Sequence, residues 1–230
     1  MNANPGATTE TEMWKRAVET CQPLTIRYPG GELIYQGESY AAGVYLISSG
    51  LVSEGCSPQH TSAEESLAEI LGPGELIGIE VLCESLGNLH MASARAIIET
   101  ELLFFERSRF AALIDKETKL KDYCLTRLTQ RLYSLKRVAS CSGSSVSFRM
   151  AQILAECAGK TGYDGSETQR RLPYRQMRAA LSRLMGISAL RVDRVMARLP
   201  EASIDNETIL VSLDALRHRL SSTGAEDKKD

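Results

Sequence analysis

Residues 175–199, RQMRAALSRLMGISALRVDRVMARL, decide how the last third of this 230-residue chain folds. The first eleven residues, 175–185, place apolar side chains at helical spacing and stop at Gly186. Residues 189–199 repeat the pattern behind Ser188, whose hydroxyl suits the N-cap of a second helix. Helix, Gly-Ile-Ser turn, helix is the spacing of a helix-turn-helix. In the second helix Val192, Val195, Met196 and Leu199 share one face, while Arg191, Arg194 and Arg198 share another, one turn apart. An arginine stripe opposite an apolar stripe suits a helix laid in a major groove, where a planar guanidinium fork meets guanine edges or phosphates. Arg175 and Arg178 on the first helix, with Ser188, Ala189 and Leu190 at the start of the second, complete the candidate contact set. Ala189 and Leu190 suit contact with a thymine methyl.

Working outward, charge supports this reading. Between Gln169 and Leu199 there are eight arginines and one acid, Asp193, so this block carries +7 in a chain whose net charge is −2. The remainder is therefore at −9, and a basic block on an acidic protein is the electrostatic footprint of a polyanion contact. After Pro200, residues 202–212 (ASIDNETILVS) read as a small hairpin, a wing. LDALRHRL (213–220) reads as a last helix started by Asp214, with a polar, disordered tail behind it. Upstream, residues 146–158 are amphipathic, 159–168 are a loop, and SCSGSS (140–145) is the best hinge in the chain.

The first half has another texture. Between Leu24 and Phe105, short β-branched and aromatic runs alternate with glycine-bearing turns: LTIRY, ELIY, GVYLIS, AEIL, ASARAII and ELLFFE. Such spacing indicates an antiparallel sandwich or roll, with the polar stretch 57–66 as a hairpin loop. Residues 115–139 then turn helical. Leu125, Leu128, Leu132, Leu135 and Ala139 recur at intervals of three and four, an a/d seam that a charged helix must bury against a partner. A second copy of the chain is the simplest partner.

Several function classes are disfavoured. No run of about 18 uncharged apolar residues is available to span a bilayer. Met1–Thr11 is polar and Gly/Pro/Thr-rich, a floppy lead and not a secretory signal, so a cytoplasmic location is expected, and residues 12–20 form a short helix. The six cysteines (21, 56, 83, 124, 141, 157) form no CxxC pair and read as reduced and structural. Three scattered histidines (His60, His90, His218), no Ser/His/Asp set, no phosphate-cradling loop and no paired metal ligands argue against an enzyme and against a metal site.

The ordered series GELIYQGE, VYLISSGLV, ILGPGELIGIEVL, the seam helix, RMAQILAECA and LMGIS-ALRVDRVMARL resembles the CRP/FNR superfamily, the regulators related to the cyclic-AMP receptor protein, over residues 21–220. The resemblance implies an α+β chain. An N-terminal extension (1–20) precedes an antiparallel, cyclic-nucleotide-binding-like β-roll sensor domain (21–113). A dimerisation helix and hinge (114–142), a C-terminal winged helix-turn-helix (143–221) and a disordered tail (222–230) follow. It implies double-stranded DNA, a second copy and RNA polymerase as partners, with no membrane. The effector pocket is expected at Gly78, Ile79, Glu80, His90 and Met91, yet no arginine or hydroxyl stands where that family's nucleotide binders hold the cyclic phosphate, and Arg95 matches a framework position instead. Cyclic AMP is disfavoured on that ground. An iron–sulfur cluster needs clustered cysteines that are not there, because Cys21 stands alone. Haem through His90, Met91, Cys83 or His60, thiol chemistry at Cys83 or Cys124, and a sensor-fold protein acting through protein partners stay open as alternatives.

Overall fold

The computed structural model describes residues 5–55, 68–83, 88–140, 145–161 and 169–222. The chain opens with α1 (Pro5–Cys21) and eight strands: β1 (Leu24–Tyr28), β2 (Leu33–Tyr35), β3 (Gly43–Ser49), β4 (Val52–Gly55), β5 (Ala68–Leu71), β6 (Leu76–Ile77), β7 (Ser93–Ala96) and β8 (Thr100–Glu106). A 3₁₀ turn, Ile79–Leu82, sits between β6 and β7. Two antiparallel four-stranded sheets result, ordered β1-β8-β3-β6 and β2-β7-β4-β5. Alternation explains their packing, since Ile47, Leu102 and Ile77 from one sheet meet Tyr35, Val52, Leu71 and Ala94 from the other in a closed apolar layer. The antiparallel roll expected from the sequence is present, with β4 and β6 added to the strands the sequence made evident.

Two features depart from expectation. The lead segment is helical from Pro5, a residue suited to the first helical position because its missing N–H has no partner there anyway. Met13, Trp14, Ala17 and Cys21 of that helix pack against Phe105 and Phe110, which gives the polar start a reason to be ordered. Next, a separate helix, α2 (Arg107–Lys116), precedes the long one. Glu106 starts it by accepting from the N–H groups of Ser108 and Arg109. The long helix α3 runs Thr118–Ser140, after an extended residue at Glu117.

Beyond Ser140 the expected hinge falls largely on 141–144, outside the described residues, as do the loop 57–66 and Cys56, Cys141 and His60. Ser145 caps α4 (Val146–Lys160) through the N–H of Phe148. Then come β9 (Gln169–Pro173), α5 (Tyr174–Met185), α6 (Ala189–Met196), β10 (Ala202–Asp205), β11 (Thr208–Ser212) and α7 (Leu213–Ser222). The wing is three-stranded, β10-β11-β9, because Gln169–Pro173 pairs with β11. α7 extends to Ser222, the first residue of the expected tail, and the rest of that tail, 223–230, lies outside the described residues.

The C-terminal core also takes in Leu51, Ile70 and Ile97 of the β-roll. Lys160 at the end of α4 pairs with Glu75 at 2.6 Å. Gly72 permits this approach, because a Cβ there would lie 2.8 Å from the Lys160 Cβ.

Candidate functional site

α5 and α6 are joined by a turn that the sequence specifies atom by atom. Gly186 adopts the left-handed conformation (φ 64°) that closes α5, a conformation a side chain resists. Ser182 Oγ donates to Ile187 O at 2.7 Å, and Ser188 Oγ accepts from Arg191 N–H to start α6. Val192, Met196 and Leu199 of the expected apolar stripe are buried, whereas Val195, expected on the same face, is only half-buried. α6 is three residues shorter than the spacing suggested: the chain tightens at Ala197–Leu199 through i→i+3 bonds before Pro200. Arg198 therefore stands in the turn after α6 and not on the helix.

The opposite side is open. Ser188, Leu190, Arg191, Arg194, Val195 and Arg198, with Val146 of α4, line a groove of about 480 Å³. Arg175, Arg191, Arg194 and Arg198 are exposed, and among the described residues none of their guanidinium groups is in a salt bridge. Ala189 is half-buried and Leu190 exposed at the same helix start. Arg178 behaves differently. Its Nε and Nη2 each reach the Asp193 carboxylate at 2.7 Å, and Tyr174 donates to the same group at 2.8 Å. Hydrogen bonding from Arg178, helped by Tyr174, holds the Asp193 carboxyl below its usual range despite partial burial. The one acid in the basic block thus clamps α6 to α5 through a residue that the sequence had grouped with the contact arginines.

Inside the β-roll, the expected pocket residues divide. Gly78, Glu80 and His90 come together: His90 Nδ1 lies 3.3 Å from Glu80 Oε1, and a Cβ on Gly78 would sit 3.1 Å from the His90 ring. Burial works to raise Glu80, but hydrogen bonds from His90 and from Met91 N–H outweigh it and hold the carboxyl low. Ile79 instead packs into the core beneath the helices, and the Met91 side chain faces outward. Arg95 donates to Gly31 O at 2.7 Å, a framework role.

Four further residues complete this interior, and sequence reading missed them. Tyr35 stacks on His90 (centroids 3.6 Å apart) and donates to Glu54. Glu54 and Glu69 both hold Arg131 of α3. One signal was available, since Glu54 follows Val52 on the inward face of β4, where alternation demands an apolar side chain.

On α3, Leu125, Leu128 and Leu132 are exposed, while Leu135 lies in the helix with its side chain outside the described part. Cys21, Cys124 and Cys157 are buried, Cys83 is exposed, and burial pushes the Cys124 thiol up to about 11, away from thiolate chemistry at neutral pH. Among the described residues no group of three or more His, Cys, Asp or Glu is arranged to hold a metal, and no helix is long and apolar enough to cross a membrane.

Comparison with known proteins adds to this geometry. Residues 25–117 match the cyclic nucleotide-binding domain family. The cyclic AMP receptor protein of Thermus thermophilus is 32% identical over 105 residues, 46% of this chain, and the chain spans about half the length (47%) of that relative. Among solved structures, the c-di-GMP responsive global regulator CLP of Xanthomonas campestris superposes with a TM-score of 0.68 at 20% identity, covering 88% of this chain and 99% of that one. FixK2 of Bradyrhizobium japonicum gives 0.66 at 18% identity, with 85% and 96% covered. A CRP/FNR-family transcriptional regulator of Thermus thermophilus gives 0.62 at 20%, with 86% and 98% covered. At these identities the structural likeness speaks for the fold.

Proposed function

We propose that this chain is a regulator of the CRP/FNR type, which controls transcription as a homodimer by reading double-stranded DNA with α6; its match to the cyclic nucleotide-binding domain family and its fold support the reading. The observation that carries the reading is the exposed set of Arg191 and Arg194 on a short helix pinned to α5 by Arg178–Asp193, with Ser188 and Leu190 at its start and Arg198 in the turn behind it. An arginine on such a helix is placed to take two acceptors of one guanine or to bind phosphate. Arg175 supplies a flanking phosphate contact, whereas Arg178 acts by orienting α6. The leucine seam of α3 pairs with its copy across a two-fold axis, so the site read is two-fold symmetric. A cytoplasmic setting with RNA polymerase as a further partner completes this reading.

Cyclic AMP does not fit the interior of the roll. The Arg131 guanidinium is already taken by the carboxylates of Glu54 and Glu69, and a third carboxylate, Glu80, stands beside His90 in the same interior. A cyclic phosphate entering there meets repulsion where it needs a charge-assisted hydrogen bond.

The test is a duplex selected from a random pool by the wild-type protein, then titrated in a mobility shift. R194A is expected to lose roughly 1–3 kcal/mol of specific affinity. Binding equal to wild type would remove α6 from the DNA.

A further inference from the structure

Arg131 shares α3 with the exposed leucines and directly precedes Leu132, yet its guanidinium turns into the β-roll. Nε donates to Glu69 Oε2 at 2.8 Å, Nη2 donates to Glu54 Oε2, and Nη1 donates to Leu76 O at 3.3 Å. All three guanidinium nitrogens are thus engaged. Glu54 and Glu69 are register partners on β4 and β5, and both are buried. Like charges directly opposite on paired strands repel, and buried carboxylates left without a cation are costly. The two strands therefore form a receptor for a cation.

That receptor is continuous with the pocket at Gly78, Glu80 and His90. Glu54 Oε1 accepts from Tyr35 and, at 3.5 Å, from Gly78 N–H, and the Tyr35 ring lies flat on His90. Burial opposes the charge on Arg131, but the two glutamates outweigh it and hold the guanidinium ionised.

We infer that Arg131 is a built-in ligand of the β-roll, occupying a carboxylate receptor with its guanidinium and fixing the pairing helix to the sensor domain, so that no phosphate-bearing effector is needed for the DNA-binding arrangement. This rests on the proposed DNA reading for its consequence, but not for its chemistry. Anchored at Arg131, α3 presents Leu128 and Leu132 in one rotational setting; released, it is free to turn its seam away from the partner. The cation at this receptor is already held by Glu54 and Glu69, and the phosphate of a cyclic nucleotide would have to displace two carboxylates to reach it.

The test uses the full chain and the triple variant R131M/E54Q/E69Q, which removes the ions together and leaves no lone buried charge. Two readouts are taken: dimer dissociation by sedimentation on dilution, and anisotropy of the selected duplex. Wild type is expected to bind the duplex with no nucleotide present. Cyclic AMP, cyclic GMP or cyclic di-GMP at about 1 mM should leave its affinity unchanged, although a millimolar site would be half filled there. The triple variant, folded by circular dichroism, is expected to dimerise and to bind the duplex roughly tenfold more weakly, within the usual range of coupling between sites. A folded triple variant that dimerises as tightly as wild type, or a nucleotide that shifts wild-type affinity, overturns the inference. Should wild type ignore the duplex, the DNA reading fails alone, and the dimer measurement still decides the role of Arg131. If R131M/E54Q/E69Q does not fold, E54Q/E69Q replaces it: release of Arg131 should weaken the dimer in the same direction, and an unchanged dimer overturns the inference.

Discussion

At the scale of single residues, Asp193 shows how one acid serves a basic surface. It is half-buried between α5 and α6 and collects Arg178 and Tyr174, so the arginines on the outer face of α6 keep a fixed direction. Its folded pKa is depressed by those hydrogen bonds. The stability it lends is complete above the unfolded carboxyl value, about 3.9, and is lost as pH falls through the lower folded value. D193N is therefore expected to melt a few degrees below wild type at neutral pH, and the gap between the two should close on acidification below about pH 4. Thermal melts by circular dichroism across that range check this; coincident midpoints at neutral pH would deny the clamp.

At the scale of elements, the helices carry the partnership. α3 leaves Leu125, Leu128 and Leu132 exposed along one side while Leu120 and Cys124 are buried on another, so a single helix packs on the roll and offers an apolar face to the proposed second copy. Replacing Leu128 and Leu132 with lysine puts charge on the seam without touching the roll. The native mass is expected to fall to that of one chain. With bivalent engagement lost, affinity for a two-fold site should drop by roughly 100-fold or more. A dimeric L128K/L132K species would show that the seam faces something else.

Elements whose order is set by local pattern were legible in the sequence. Alternation gave the strands, the interval of three and four gave α3, and Gly186 with Ser188 gave the turn between α5 and α6. Elements set by tertiary contact were not. The first turns of α1 are polar, and their helix depends on Trp14 and Ala17 finding Phe105. A short strand beyond the 159–168 loop was open to expectation, but its pairing with β11, far along the chain, was not. The ion cluster in the roll joins Glu54 to Arg131 across 77 positions, a separation no local spacing reveals. The exposure of Arg191 and Arg194 was legible because a helix shows its faces in sequence. The different role of Arg178 was hidden because it depends on how two helices cross.

At the scale of the whole molecule, charge and packing are arranged along one path. The C-terminal domain sits on the roll through Leu51, Ile70 and Ile97 and the Lys160–Glu75 pair, and Tyr123 of α3 donates to Gly74 in the loop that carries Glu75. The loop Gly74–Glu75 thus touches both α3 and the end of α4, which places the proposed DNA-reading helices in line with the proposed pairing helix. The acidic remainder of the chain would also orient the molecule so that the basic block meets the proposed duplex first. That α6 lies against a duplex is tested most directly by the salt dependence of duplex affinity, measured for wild type and for R191A/R194A/R198A. The expected result is a steep fall in log affinity with log salt for wild type, and for the variant a slope shallower by about 1 for each arginine that met a phosphate. Duplex binding absent at low salt, or a variant that matches wild type in both affinity and slope, would contradict it.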